Sequence, residues 1–142
     1  MRLTLNNTEI FASTGGRDFD PSGPVVLFVH GSGQSHLGFM LQHRFFANRG
    51  FQCITPDMPG HGLSKGEALT TIEAMADRYA QFMQATGITQ ATLVGHSMGG
   101  LIELEFASHY PDLVTKASLY SKALPIPLNH TPITLPAKKT DP

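Results

Sequence analysis

The chain has 142 residues, an apolar fraction of 41% and a formal net charge of −1. That length holds one hydrophobic core and is short beside the roughly 200–250 residues of many single-domain α/β proteins, and the composition excludes a disordered chain. The balanced charge offers nothing to attract nucleic acid or anionic lipid, and a single cysteine, Cys53, excludes an intrachain disulfide framework and a cysteine metal cluster. The first residues, Met1 to Asn7, lack the apolar core of a signal peptide. No window approaches the roughly 18 consecutive apolar residues of a membrane span. A soluble cytoplasmic protein without a nucleic-acid or membrane partner is expected.

Leu3–Leu5 and Glu9–Ser13 flank Asn6-Asn7 and read as a hairpin. After a polar loop, Val25–Val29 is wholly apolar, as suits a strand buried on both faces of a parallel sheet. The glycine loop His30–Gly33 follows it directly. Phe39–Ala47 is expected as a helix stopping near Gly50, and Phe51–Thr55 as the next strand. Asp57–Ser64 is a Pro/Gly-rich loop. Thr70-Thr71-Ile72-Glu73 matches a capping box, with Thr70 as N-cap and Glu73 at N3. The helix after it places Ile72, Met75, Ala76, Tyr79, Ala80 and Met83 on one face and ends at Gly87. Ala91–Gly95 is a third buried strand, turning at Ser97 into a helix that runs to about His109 and is closed by Pro111. Ala117–Tyr120 is the last strand. The alternation of strand and helix predicts an α/β class with a mainly parallel sheet, and Val25–Val29 and Ala91–Gly95 are expected as adjacent central strands.

Residues 1–120 form one domain in this reading. From Ser121 the character changes: five of the ten prolines lie between Pro125 and Pro142, and no helical or strand period is visible. Proline this dense removes backbone donors and blocks helix, so 121–142 is expected as an extended or disordered tail.

The strongest chemical signal is Gly95-His96-Ser97-Met98-Gly99, set between an apolar strand and a helix. A chain reversing that sharply strains the backbone of Ser97 and brings the residues two before and two after it together, where glycine fits. The serine oxygen is then presented at a helix N-terminus, whose free N–H groups and partial positive charge stabilise an oxyanion. Alone, the pattern competes with an incidental serine in a glycine-rich turn. Two further motifs accompany it. His30-Gly31-Ser32-Gly33 can aim a second N–H, that of Ser32, at the same oxyanion, the first being that of Met98. Asp57-Met58-Pro59-Gly60-His61-Gly62-Leu63-Ser64 is a tight loop in which Asp57 and His61 are expected to stabilise the loop rather than react. Cys53 is expected to pack as a small apolar residue, and Glu103 and Glu105 as solvated helix positions.

These three motifs, in order over about Val25 to Tyr120, resemble the serine-hydrolase branch of the α/β-hydrolase superfamily. The resemblance implies a doubly wound α/β-hydrolase sheet and an esterase-like enzyme acting on a small ester or related carbonyl substrate. It makes Ser97 the nucleophile and Met98 and Ser32 the backbone oxyanion donors. His30, Gly31, Gly33 and His96 are candidate substrate-binding residues, with His30 ordering its loop. A serine here separates the chain from epoxide hydrolases and dehalogenases of the same fold, which use aspartate. No metal or organic cofactor is implied.

The family's triad runs Ser, then Asp or Glu, then His in chain order; the acid usually follows the seventh strand and the histidine the eighth. This chain is expected to stop after the sixth, leaving the sheet incomplete at its C-terminal side. From Ser121 to Thr140 no residue is acidic. His109 lies at the far end of the helix that starts at Ser97, roughly 18 Å away at 1.5 Å per residue, and reads as a surface residue. His130 lies in the proline-rich tail. The alternative to an active esterase is therefore a catalytically incomplete hydrolase that acts by binding only. The strand Ala117–Tyr120 would be an unprotected edge, through which self-association is expected.

Overall fold

Asn6 and Asn7 both take positive φ, 46° and 60°, as a two-residue turn between twisted strands demands. They join β1 (Arg2–Leu5) to β2 (Thr8–Ser13) in the expected hairpin. The structure, a computed structural model, describes residues 1–120; the expected proline-rich tail lies outside the described residues. The remaining elements are β3 (Val25–Val29), α1 (Met40–Ala47), β4 (Gln52–Pro56), α2 (Ile72–Thr86), β5 (Ala91–His96), α3 (Met98–His109) and β6 (Val114–Tyr120). Two short 3-10 turns complete them: His36–Phe39, which leads into α1, and Pro111–Leu113, which joins α3 to β6.

The six strands form one sheet in the order β1-β2-β4-β3-β5-β6. The hairpin joins antiparallel through β2 and β4, and the rest is parallel. β3 and β5 are adjacent as expected, with Leu27 opposite Leu93 and Val29 opposite Gly95. The unbroken apolar run of β3 is explained by its two faces. Val25, Leu27 and Val29 enter the larger core beneath α2 and α3, among Tyr79, Phe82 and Phe106. Val26 and Phe28 turn the other way, into a smaller core with Phe39, Ala47 and Cys53 beneath α1. There Cys53 is the small apolar residue anticipated, and burial pushes its thiol up to about 11.

Three expectations are corrected. The N-cap of α2 is Thr71, not Thr70: Thr71 is extended, at φ −128° and ψ 149°, and its hydroxyl accepts from the Ala74 N–H at 3.1 Å. Glu73 therefore falls at N2 and makes no reciprocal box. The last strand begins at Val114 rather than Ala117. It pairs with β5 from Ala91 onward across an irregularity at Ala91/Thr92, and its polar Thr115-Lys116 start conceals that pairing in the sequence. Glu103 is fully buried, not solvated: helical spacing sets it with Gly99, Ile102 and Phe106 on the inward side of α3.

Candidate active site

β5 delivers the chain to the carboxyl edge of the sheet, and α3 carries it away after one residue. That residue, Ser97, adopts φ 56° and ψ −120°, a region a side chain enters only under constraint. Its neighbours supply the constraint. A Cβ at Gly95 would stand 2.5 Å from the Gly99 carbonyl oxygen and 2.6 Å from Glu103 Oε2, and one at Gly99 would overlap the Val29 carbonyl oxygen. Strand, turn and helix thus meet backbone to backbone, at two places where only glycine fits. The half-buried Ser97 does not spend its hydroxyl on capping α3. Met98 opens that helix, so its N–H has no acceptor one turn back.

The loop 30–33 lies against this turn: a Cβ on Gly31 would come within 3.0 Å of the His96 carbonyl oxygen. A residue the sequence reading passed over joins the two. Gln34 Oε1 accepts from the Gly31 N–H at 3.0 Å and contacts His96 Nδ1 at 3.1 Å. Gly33 donates its N–H to His61 Nε2 at 3.3 Å. The N–H groups on both sides of Ser32 are therefore taken, and that of Ser32 donates to no described residue.

His30, 1% exposed, lies inside the loop rather than on its surface. Its Nε2 accepts from the Met58 N–H at 3.0 Å, so the proton belongs on Nδ1, which donates to the Gly31 carbonyl at 2.8 Å. Burial lowers its pKa and keeps the ring neutral, as an acceptor must be. Asp57 is fully buried and accepts from the N–H groups of His36 (2.7 Å) and Leu63 (2.9 Å), and its second oxygen meets His36 Nδ1 at 2.8 Å. It organises the loop, as read from the sequence. His61 does the same from the other side, with Nδ1 at 3.1 Å from the Pro59 carbonyl. His109 is on the surface beside Glu105.

Beneath the turn lies Glu103, with neither carboxylate oxygen hydrogen-bonded among the described residues. Burial pushes its pKa up to about 8; the Gly95 and Ser118 amides offset this in part, at a geometry short of hydrogen bonding. The carboxyl is protonated at neutral pH and packs against Gly95. No local signal marks it, because a glutamate on a helix ordinarily faces water. Among the described residues no group of three or more His, Cys, Asp or Glu side chains is gathered to hold a metal ion, and no helix is long and apolar enough to cross a membrane.

A family model described as the α/β hydrolase fold matches residues 24–139. Among curated proteins the chain is similar to an uncharacterized protein of Mycobacterium tuberculosis, 37% identical over 101 residues, 70% of this chain and 29% of that one. It is also similar to 2-hydroxy-6-oxo-6-phenylhexa-2,4-dienoate hydrolase of Comamonas testosteroni, 31% identical over 131 residues, 82% of this chain and 46% of the hydrolase. Among solved structures, a thioesterase domain from the curacin biosynthetic pathway shares the fold, with a TM-score of 0.74 at 24% identity over 84% of this chain and 44% of that one. The chain spans 29% and 46% of the length of the two curated relatives.

Proposed function

The chain belongs to the α/β-hydrolase fold family, and from that premise we propose that it carries the nucleophile and oxyanion half of a serine hydrolase site for a small ester or related carbonyl substrate. The observation that carries the proposal is the backbone of Ser97, φ 56° and ψ −120°, between β5 and α3. Strain of that kind, held by two glycine contacts, lifts one hydroxyl clear of the sheet at a helix N-terminus. In this reading Ser97 Oγ attacks the carbonyl carbon. The carbonyl oxygen gathers negative charge as the tetrahedral intermediate forms, and the N–H groups of Met98 and Ser32 receive it. Gly31, Gly33 and His96 shape the floor beside them.

A serine hydroxyl needs a base to become a good nucleophile. His30 and His61 each use Nε2 to accept a backbone N–H and have Nδ1 against a backbone carbonyl. Neither ring is at liberty to take the Ser97 proton. The second reading, a chain that binds without triad-dependent turnover, is favoured by that occupancy.

Covalent labelling separates the site from its activity. Prolonged incubation with an alkyl fluorophosphonate, followed by peptide mass mapping, is expected to place a single adduct on Ser97 and none on the Ser97→Ala protein. An adduct pattern unchanged by Ser97→Ala would overturn the nucleophile assignment.

A further inference from the structure

The outer face of α1 and the turn before it is apolar and open to water. Leu37, Met40, Leu41 and Phe45 are 61%, 60%, 78% and 49% exposed. Their spacing places them along one side of the segment. Leu41 stands two residues before the buried His43, about 160° from it around the helix at 100° per residue. It therefore points away from the sheet, and an element laid on the sheet beside α1 would leave it uncovered.

Among the described residues, cations outnumber carboxylates around this face. Between Asp20 and Asp57 the chain contains no acidic residue, while Arg44 and Arg49 lie on and just beyond the helix. The Arg49 guanidinium stacks over the Phe45 ring, 3.5 Å from its centroid. A third cation, Arg17, is fixed at the end of α1 by the Ala47 carbonyl and Asn48 Oδ1; its neighbour Asp18 lines a cleft with Arg17, Ala47 and Gly50 and is the one carboxylate there among the described residues. A groove of about 530 Å³ beside the helix is lined by Gly15, Gly16, Arg17, Leu41 and Arg44 among others, without an acidic side chain.

We propose that this face docks onto an anionic phospholipid surface. Leu37, Met40, Leu41 and Phe45 enter the acyl boundary, and Arg17, Arg44 and Arg49 meet the phosphates. Apolar side chains flanked by arginines on a helix lying flat are what such a surface holds. The chain's net charge of −1 conceals this, because it sums over the molecule while the arginines act locally. The proposal is independent of any chemistry at Ser97.

Co-sedimentation of the full chain with phosphatidylcholine vesicles, and with mixed phosphatidylcholine–phosphatidylglycerol vesicles, tests it. Partitioning onto the mixed vesicles at low salt is expected to exceed that onto phosphatidylcholine by at least about tenfold and to fall as salt is added. Leu41→Glu is expected to weaken it by about tenfold or more, and Arg44→Gln to reduce the preference for the mixed vesicles. Leu41 is exposed, so an unchanged urea midpoint in Leu41→Glu confirms that the loss is not unfolding. Equal partitioning onto both vesicles, or binding indifferent to Leu41→Glu, would overturn the proposal. So would a dimer in sedimentation that requires Leu41, formed by a protein that leaves both vesicles bare.

Discussion

At Gly99 one added methyl group decides whether the turn at Ser97 can form. Its Cβ would meet the Val29 carbonyl oxygen, so either α3 must lift away from β3 or Val29 must shift out of its pairing with Gly95. Gly99→Ala is expected to cost about 3 kcal/mol or more, in line with severe overpacking, read as a lowered urea midpoint; an unchanged midpoint would show that the contact has room. Glu103 gives a second test, in pH. Its carboxyl is raised from 4.5 to about 8 by burial, so between those values the folded state holds a proton that the unfolded state has released. Its stabilising contribution is complete below 4.5, is lost as pH rises through about 8, and changes no further above that. Glu103→Gln is expected to remove that decline, so that in urea titrations its stability gains on the parent's as pH rises from 4.5 to 8, against the opposing rise from buried His30 and His43, whose pKa values are lowered; an identical pH dependence in the two proteins would contradict the buried placement. Both residues show where sequence falls short. The glycines were legible because their motif has a steric meaning, whereas a buried glutamate carries the same local signature as a solvated one. Gln34 was illegible for another reason: its amide reaches Gly31 and, 62 positions along the chain, His96. No periodicity records such a bridge.

Among the elements, α2 offers the cleanest discrimination between two adjacent threonines. Thr71 supplies the cap through the Ala74 N–H, and Thr70 supplies none. Thr71→Ala is expected to destabilise the protein by about 1 kcal/mol, while Thr70→Ala leaves the urea midpoint nearly where it was; equal effects would restore the capping box expected from the sequence. The one-residue slip arises because both threonines precede the same apolar period, and only the backbone angles distinguish them. Where an element is buried on both faces, as β3 is, composition alone marks it. At the edge of the described sheet β6 opens with Val114-Thr115-Lys116, polar enough to read as loop. Its first three residues are recovered only from their pairing with β5.

For the whole molecule, three segments far apart in sequence converge at the carboxyl edge of the sheet: the 30–33 loop, the 57–64 loop and the turn at Ser97. His30 and His61 tie the first two together through backbone bonds, and Gln34 ties the first to the third. Used this way, both histidines are structural acceptors, and neither ring is at liberty to serve Ser97 as a base. The measurement that tests this most directly is hydrolysis of a short-chain activated ester by the purified chain, compared with Ser97→Ala, His30→Ala and His61→Ala at matched folding. The expected result is a negligible rate for the parent, equal to that of Ser97→Ala. Turnover abolished by Ser97→Ala and also by one of the histidine changes in folded protein, with a pH–rate limb near the histidine value of about 6.5, would contradict it and make that histidine the base.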